Sequence, residues 1–265
     1  MSSPREEGCW VCRKGTKSRC GSCQKGGLEA VFCSKECQRL VSPIHKLSCG
    51  TGKTRPFLLP PLSPEEVVEA KAHAKDQYKD AEGKRTSLTK ALQKAGLLVE
   101  PLSKTLDTLA SDSTAEDETT VRTVQLFLAA VRASEADRLF SHSTAKIPSP
   151  PSVSVVLGQV SRVLAFVLQE LDGRPLDEVK DKLSALSPIM HHVAISYYLL
   201  MFDPKTKSLP GWNVDHAEWG VMQVVLAAIP DVGVALGPAA YTVFRQKYDL
   251  GIKHVCELSR RLYPV

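Results

Sequence analysis

Cys9-Trp10-Val11-Cys12, Cys20-Gly21-Ser22-Cys23, Cys33-Ser34-Lys35-Glu36-Cys37 and His45-Lys46-Leu47-Ser48-Cys49 are the four stretches whose reading decides the fold of this 265-residue chain. Each is a pair of soft ligands two or three residues apart. Together they place eight ligands in the segment from Cys9 to Cys49, enough for two closed tetrahedral sites. Zinc prefers Cys/His tetrahedra and carries no redox chemistry of its own, which suits a structural role. A two-residue gap turns both sulfurs onto one ion in a tight knuckle. A three-residue gap places both ligands on one face of a helical turn. Ser42 followed by Pro43 is expected to cap such a turn ahead of His45 and Cys49. Spacing leaves the pairing open: sequential and interleaved schemes both give one all-cysteine site and one site of three cysteines with a histidine.

The rest of the composition agrees. Seven of the eight cysteines lie between Cys9 and Cys49, and only Cys256 lies outside that segment. Disulfides would leave one of the seven unpaired, and MSSPREEGCW shows no apolar stretch behind a basic start, so no secretory signal is expected. Residues 1–55 hold 11 Lys/Arg against four Asp/Glu, so the net +5 of the chain originates there. Seven thiolates and two Zn²⁺ together contribute about −3, so part of this excess balances thiolate charge, and a nucleic-acid patch does not follow from the excess alone.

Cys33-Ser34-Lys35-Glu36-Cys37-Gln38, followed by His45-Lys46 and Cys49, resembles the MYND-type zinc finger. The resemblance extends to small fungal-type proteins with one N-terminal finger and a helical tail. It implies an interleaved arrangement: Cys9, Cys12, Cys33 and Cys37 on one zinc, and Cys20, Cys23, His45 and Cys49 on the other. It also implies a protein-interaction module, since several such fingers bind short proline-containing peptides in a shallow groove. Gln38 matches the groove glutamine and Phe32 the aromatic before the third pair. Two departures stand out. Nine residues separate Cys23 from Cys33, where many relatives have five or six, and Gly26-Gly27 is expected to turn a longer hairpin there. Ser42 occupies the place of the groove tryptophan, so binding of generic proline peptides is expected to be weak.

Two other readings fail on residues. Gly50-Thr51-Gly52-Lys53-Thr54 imitates the end of a phosphate-binding loop, but the position that needs the first glycine is Leu47, and prolines follow where a helix is required. A SET-domain methyltransferase, in which such a finger interrupts the catalytic domain, is not expected: eight residues stand before Cys9 in this sequence, and no Asn-His-Ser-Cys stretch follows.

Beyond the finger (1–50), a Pro-rich linker (51–62) leads to a helical domain (63–265). Ser63, Pro64 and Glu66 form a capping box that starts a helix expected over Val67–Lys94 with a weak point at Gly83. A short helix is expected at Leu102–Leu109 and a polar loop at Ser111–Thr120. A helix follows on Val121, Val124, Phe127, Leu128, Val131 and Leu139, then a second linker at Ser141–Ser152. Val153–Leu171 is apolar almost all round, hence buried, and stops at Gly173. Leu176, Val179, Leu183, Leu186, Met190 and Val193 carry another stripe, with a kink expected at Pro188. After Pro210-Gly211, two last helices are expected at Ala217–Ile229 and Ala239–Leu262. No convincing strand pattern appears outside the finger. Val224–Phe244 is interrupted by Asp231 and by Pro and Gly residues, which reads as a turn and not a membrane span. The expected fold is mainly α: a two-zinc finger followed by an all-α bundle.

His191-His192 face different ways and read as packing residues, as do Tyr197-Tyr198 and Cys256. Asp215-His216 and Glu218 read as an acidic helix start flanked by Trp212 and Trp219. The expected function is a zinc-binding adaptor or regulatory protein with a protein or peptide partner. It is not expected to be an enzyme or a membrane protein, and it is placed in the cytoplasm, the nucleus or both. The competing classes are an enzyme with activity in the tail and a nucleic-acid binder using the basic finger.

Overall fold

The computed structural model describes residues 7–12, 14–80, 83–97, 101–110, 118–142, 153–171, 173–203, 232–239 and 241–242. The chain groups into two compact units, Met1–Leu58 with Asp177–Val265, and Leu59–Leu176. The expected helices at 217–229 and 239–262 fall wholly or almost wholly outside the described residues, as do Pro210-Gly211, Trp212, Asp215, His216, Glu218, Trp219 and Cys256. The expected linker at 141–152 lies outside them beyond His142, where α7 ends. Of the Ser111–Thr120 loop, 111–117 lie outside them, and the next helix has already begun at Glu118.

In the first unit, β1 (Glu7–Gly8) and β2 (Gly15–Thr16) pair antiparallel around the first cysteine knuckle. The nine-residue gap turns at Gly26-Gly27 as expected and its arms pair antiparallel, but a short helix stands in one arm. Gly21–Lys25 winds into α1, which ends at Gly26 and turns through Gly27 at a φ of 79°. The chain then returns to pair Val31 with Arg19 in an antiparallel bridge. Gly26 is required by close approach: a Cβ there would collide with Thr54 Oγ1, which donates to the Gly26 carbonyl oxygen at 2.9 Å. α2 (Lys35–Leu40) is capped by Ser34, whose hydroxyl accepts from the Cys37 N–H. α3 (Ser42–His45) runs into a 3-10 turn at Lys46–Ser48. The cap expected from Ser42 is absent: Val41 holds the N-cap position and Ser42 is already helical. The finger's apolar centre is Leu28, Val31, Phe32, Val41 and Ile44, all buried. α9 (Leu176–Phe202), all but its first residue, belongs to this unit and runs continuously through Pro188. It buries Leu183, Leu186, Met190, Val193 and Ile195.

In the second unit the proline-rich segment is held by hydrogen bonds. The Leu59 N–H donates to Gln125 Oε1 at 2.7 Å and Gln125 Nε2 donates to the Leu59 carbonyl oxygen at 3.1 Å. The Leu62 N–H donates to the Leu109 carbonyl oxygen. α4 (Pro64–His73) starts at the expected capping box, with both reciprocal bonds between Ser63 and Glu66 formed. It does not continue to Lys94. Tyr78–Lys79 (β3) and Arg85–Thr86 (β4) form an antiparallel hairpin, corrected from the strand-free reading, and α5 (Leu88–Lys94) starts afresh at a Ser87 cap. Local side-chain bonds overrode helical propensity here: Asp80 Oδ1 accepts from the Lys84 N–H, which closes the turn. α6 (Leu102–Ala110), α7 (Glu118–His142) and α8 (Val153–Glu170) complete the unit.

The α7–α8 pair carries the core, with Leu128, Ala129 and Val131 on one side and Val156, Val160, Leu164 and Val167 on the other. Gly158 lets the two backbones meet, since a Cβ there would lie 2.6 Å from the Arg132 carbonyl oxygen. Arg132, 2% exposed, grips Glu66 through two nitrogens at 2.8 and 2.9 Å. The same guanidinium donates to the Pro60 and Pro61 carbonyl oxygens. Glu66 therefore both caps α4 and neutralises a buried cation. Among the described residues no helix is long and apolar enough to cross a membrane.

Candidate metal centre

Each cysteine knuckle is set by backbone bonds before any metal is considered. The Cys9 N–H donates to the Lys14 carbonyl oxygen at 2.8 Å and the Cys20 N–H to the Ala30 carbonyl oxygen at 2.8 Å. These bonds turn each CxxC pair inward and bring distant pairs together. Cys9, Cys12, Cys33 and Cys37 form one cluster, the all-cysteine centre. Cys20, Cys23, His45 and Cys49 form the other, the histidine-containing centre. The ligand atoms of each lie within 4.8 Å of one another. This is the interleaved pairing that the resemblance implies, and it excludes the sequential one.

The separations test the fit to zinc. With Zn–S near 2.3 Å and Zn–N near 2.0–2.1 Å, a tetrahedron has edges of about 3.8 Å between sulfurs and about 3.6 Å between sulfur and nitrogen. Cys12 and Cys33 lie 3.4 Å apart and Cys33 and Cys37 3.6 Å apart. In the second cluster Cys20–Cys49 is 3.6 Å and Cys23–Cys49 3.4 Å. His45 Nε2 stands 3.5 Å from Cys20 Sγ and 3.6 Å from Cys23 Sγ. The donors therefore fit two Zn²⁺ ions, with Nε2 as the single nitrogen ligand.

The electrostatics of the ligands agree. Burial pushes the His45 imidazole down, which keeps it neutral and able to ligate. Burial drives the Cys23 thiol far up, and hydrogen bonds to Cys12 and Cys37 raise Cys33 to about 12. Burial also raises Cys37 and Cys49. Cys9 runs the other way: burial opposes its ionisation, but the backbone N–H groups of Cys12, Cys33 and Val11 bring it to about 7. Cys20 is lowered in the same manner, against burial, by the Cys23 backbone and the Cys49 thiol. Crowded thiols suppress one another's ionisation until a dication compensates them, so zinc loading expels protons.

The two centres differ in exposure. Cys20, Cys23 and His45 are buried, whereas Cys12 is exposed and Cys33 and Cys37 are half-buried. Gln38, expected at a peptide groove, directs its Nε2 to Cys20 Sγ at 3.4 Å, where it supports a ligand thiolate. Ser42 is half-buried at the start of α3. Sequence reasoning missed Ser48, whose hydroxyl lies 3.1 Å from His191 Nδ1, and Thr54, which bonds the Gly26 and Gly50 carbonyl oxygens. Neither contact leaves a trace in local spacing.

The family model described as the MYND finger matches residues 9–49. The chain thus carries a MYND-type zinc finger, a zinc-binding module that commonly mediates contacts between proteins. No curated protein and no solved structure gives a significant match to the chain.

Proposed function

We propose that this chain is an adaptor or regulatory protein, not an enzyme, and that its finger is a structural recognition module working in the cytoplasm, the nucleus or both. The observation that carries the reading is the closure of both ligand sets. Eight protein ligands fill two tetrahedra, so neither ion keeps the open position that activating water or polarising a substrate requires. The seven described cysteines are all drawn into these clusters as metal ligands and not as disulfides, a use of cysteine that suits a reducing compartment.

The recognition surface in this reading includes Gln38 on α2 and Ser42 on α3. With Nε2 turned to Cys20, Gln38 offers Oε1 to a partner's backbone N–H. Ser42 offers almost no apolar area where an indole would cover a ligand proline, a loss of about 2 kcal/mol or roughly thirtyfold in affinity. The chain therefore binds a generic PxLxP peptide weakly, and Ser42→Trp strengthens that binding by up to about thirtyfold. The substitution removes no cap, because Ser42 makes none. Fluorescence anisotropy on both proteins at matched zinc content checks this. Tight binding by the wild type, or no gain in a folded variant, contradicts the placement of the groove. A shift of random duplex DNA that falls steeply with salt would instead favour the basic finger as a nucleic-acid binder.

A further inference from the structure

Two adjacent histidines on α9 reach two different zinc knuckles. His191, 2% exposed, places Nδ1 3.1 Å from Ser48 Oγ. Ser48 ends the 3-10 turn that links His45 to Cys49, two ligands of the histidine-containing centre. The same imidazole meets Phe57 edge-on, with ring centroids 5.2 Å apart. His192 does something different. Its ring stacks on the Trp10 indole at 5.6 Å with an interplanar angle of 12°. Trp10 lies between Cys9 and Cys12, inside the knuckle of the all-cysteine centre. Its backbone N–H is bonded to the Val31 carbonyl oxygen and its ring meets Phe32 edge-on.

Neighbouring positions on a helix point about 100° apart, which is why two such residues do not share one metal. The same divergence lets one helix touch two separate loops. We propose that His191 and His192 form a two-pronged brace, each fixing the knuckle of one zinc centre, so that α9 is a working part of the finger. His191 acts through Ser48 on the turn that positions Cys49. His192 acts through Trp10 on the turn that positions Cys9 and Cys12. Both are positioning residues; neither ligates zinc.

Groups bonded directly to a ligand change metal affinity by about 10- to 100-fold when removed; His191 and His192 act one residue further out, through Ser48 and Trp10, so the low end of that range is their ceiling. The brace therefore makes a site-resolved claim on the full-length zinc protein. Zinc transfer to a chromogenic chelator gives two release phases. Hydrogen exchange followed alongside assigns each phase, Glu7–Thr16 reporting the all-cysteine knuckle and Ser42–Cys49 the other. His191→Ala speeds release from the histidine-containing centre by up to about tenfold and deprotects 42–49, with the other phase unchanged. His192→Ala speeds the all-cysteine phase and deprotects 7–16.

Two conservative variants guard against simple misfolding. His191→Asn keeps a polar nitrogen or oxygen near Ser48, and His192→Phe keeps a ring against Trp10; each restores its own phase towards the wild-type rate. Ser48→Ala reproduces His191→Ala, and the double variant adds nothing further. Unchanged release in both alanine variants, equal loosening of both centres by either one, or failure of both conservative variants to restore their phases overturns the proposal.

Discussion

The finger with α9 and the unit built on α7 and α8 solve the same problem, the burial of polar groups, in opposite ways. In the first, seven thiols and an imidazole converge on two points, and the apolar centre around them is small. In the second, the α7–α8 pair makes the core, and the charges buried on α7 are matched side chain to side chain, as in Arg132 with Glu66 or Arg138 with Glu135. One unit needs an added cation to resolve its polar cluster, while the other carries its own counter-ions. The two should therefore fail under different conditions, and the predictions separate them on that basis.

The largest difference concerns metal. Structural zinc contributes on the order of 10 kcal/mol per site to folding. Chelation should unfold residues 7–58 and deprotect α9, while α7 and α8 stay protected in hydrogen exchange. Retention of α9 protection after complete zinc removal would separate that helix from the finger, and loss of α7 and α8 would abolish the contrast altogether.

Arg132→Met attacks the second unit alone. It leaves the Glu66 carboxylate without its bidentate partner and two carbonyl oxygens without a donor. Breaking a buried pair by removing one partner costs about 3–5 kcal/mol. The denaturation midpoint reported by α7 and α8 should fall sharply with zinc stoichiometry still at two per chain. A change below about 1 kcal/mol would mean that the pair is not buried as described.

Acid acts with opposite signs on the two units. Burial pushes His191 from 6.5 down to about 4, so the unfolded chain takes up the proton first. Its contribution is complete above pH 6.5 and is lost as the pH falls towards 4, by about 2–3 kcal/mol. Asp137 goes the other way. Burial raises it from 3.8 to about 6 against the pull of Arg162, and burial raises Glu135 as well. These carboxyls bind protons more readily when folded, so their contribution grows as the pH falls from 6 towards 4. Segment-resolved exchange protection at pH 7.5 and 5.5, with zinc retained, should weaken for α9 and hold or rise for α7 and α8.

The smallest effects come from single methyl groups. Gly26→Ala drives a Cβ into Thr54 Oγ1, and Gly158→Ala drives one into the Arg132 carbonyl oxygen. Each should destabilise its own unit by about 1–3 kcal/mol. Only Gly26→Ala should also quicken zinc loss, which a chelator competition would show.

The same contrast explains what the sequence made legible. Coordination demands particular residue types at particular spacings, so all eight ligands could be named, together with the Ser63–Glu66 capping box and the buried helix from Val153. Two-residue strands such as Tyr78–Lys79 and Arg85–Thr86 are too short to show a period of two, and they vanished into an apparent helix. The Ser42 cap failed because the helical turn begins one residue earlier, at a position where Val41 offers no acceptor. Arg132 looks like any mid-helix arginine until Glu66 is brought to it. Ser48 and His191 are 143 residues apart, and nothing local marks either as a partner of the other. Short-range chemistry was readable; long-range contact was not.

Zinc X-ray absorption on the purified full-length protein, read with its metal stoichiometry, tests the closed two-centre site most directly. The account predicts two ions per chain sharing seven sulfurs and one nitrogen, an average of 3.5 sulfur and 0.5 nitrogen per zinc with no oxygen in the first shell. One ion per chain, or a first shell with an oxygen ligand and correspondingly fewer sulfurs, would contradict it.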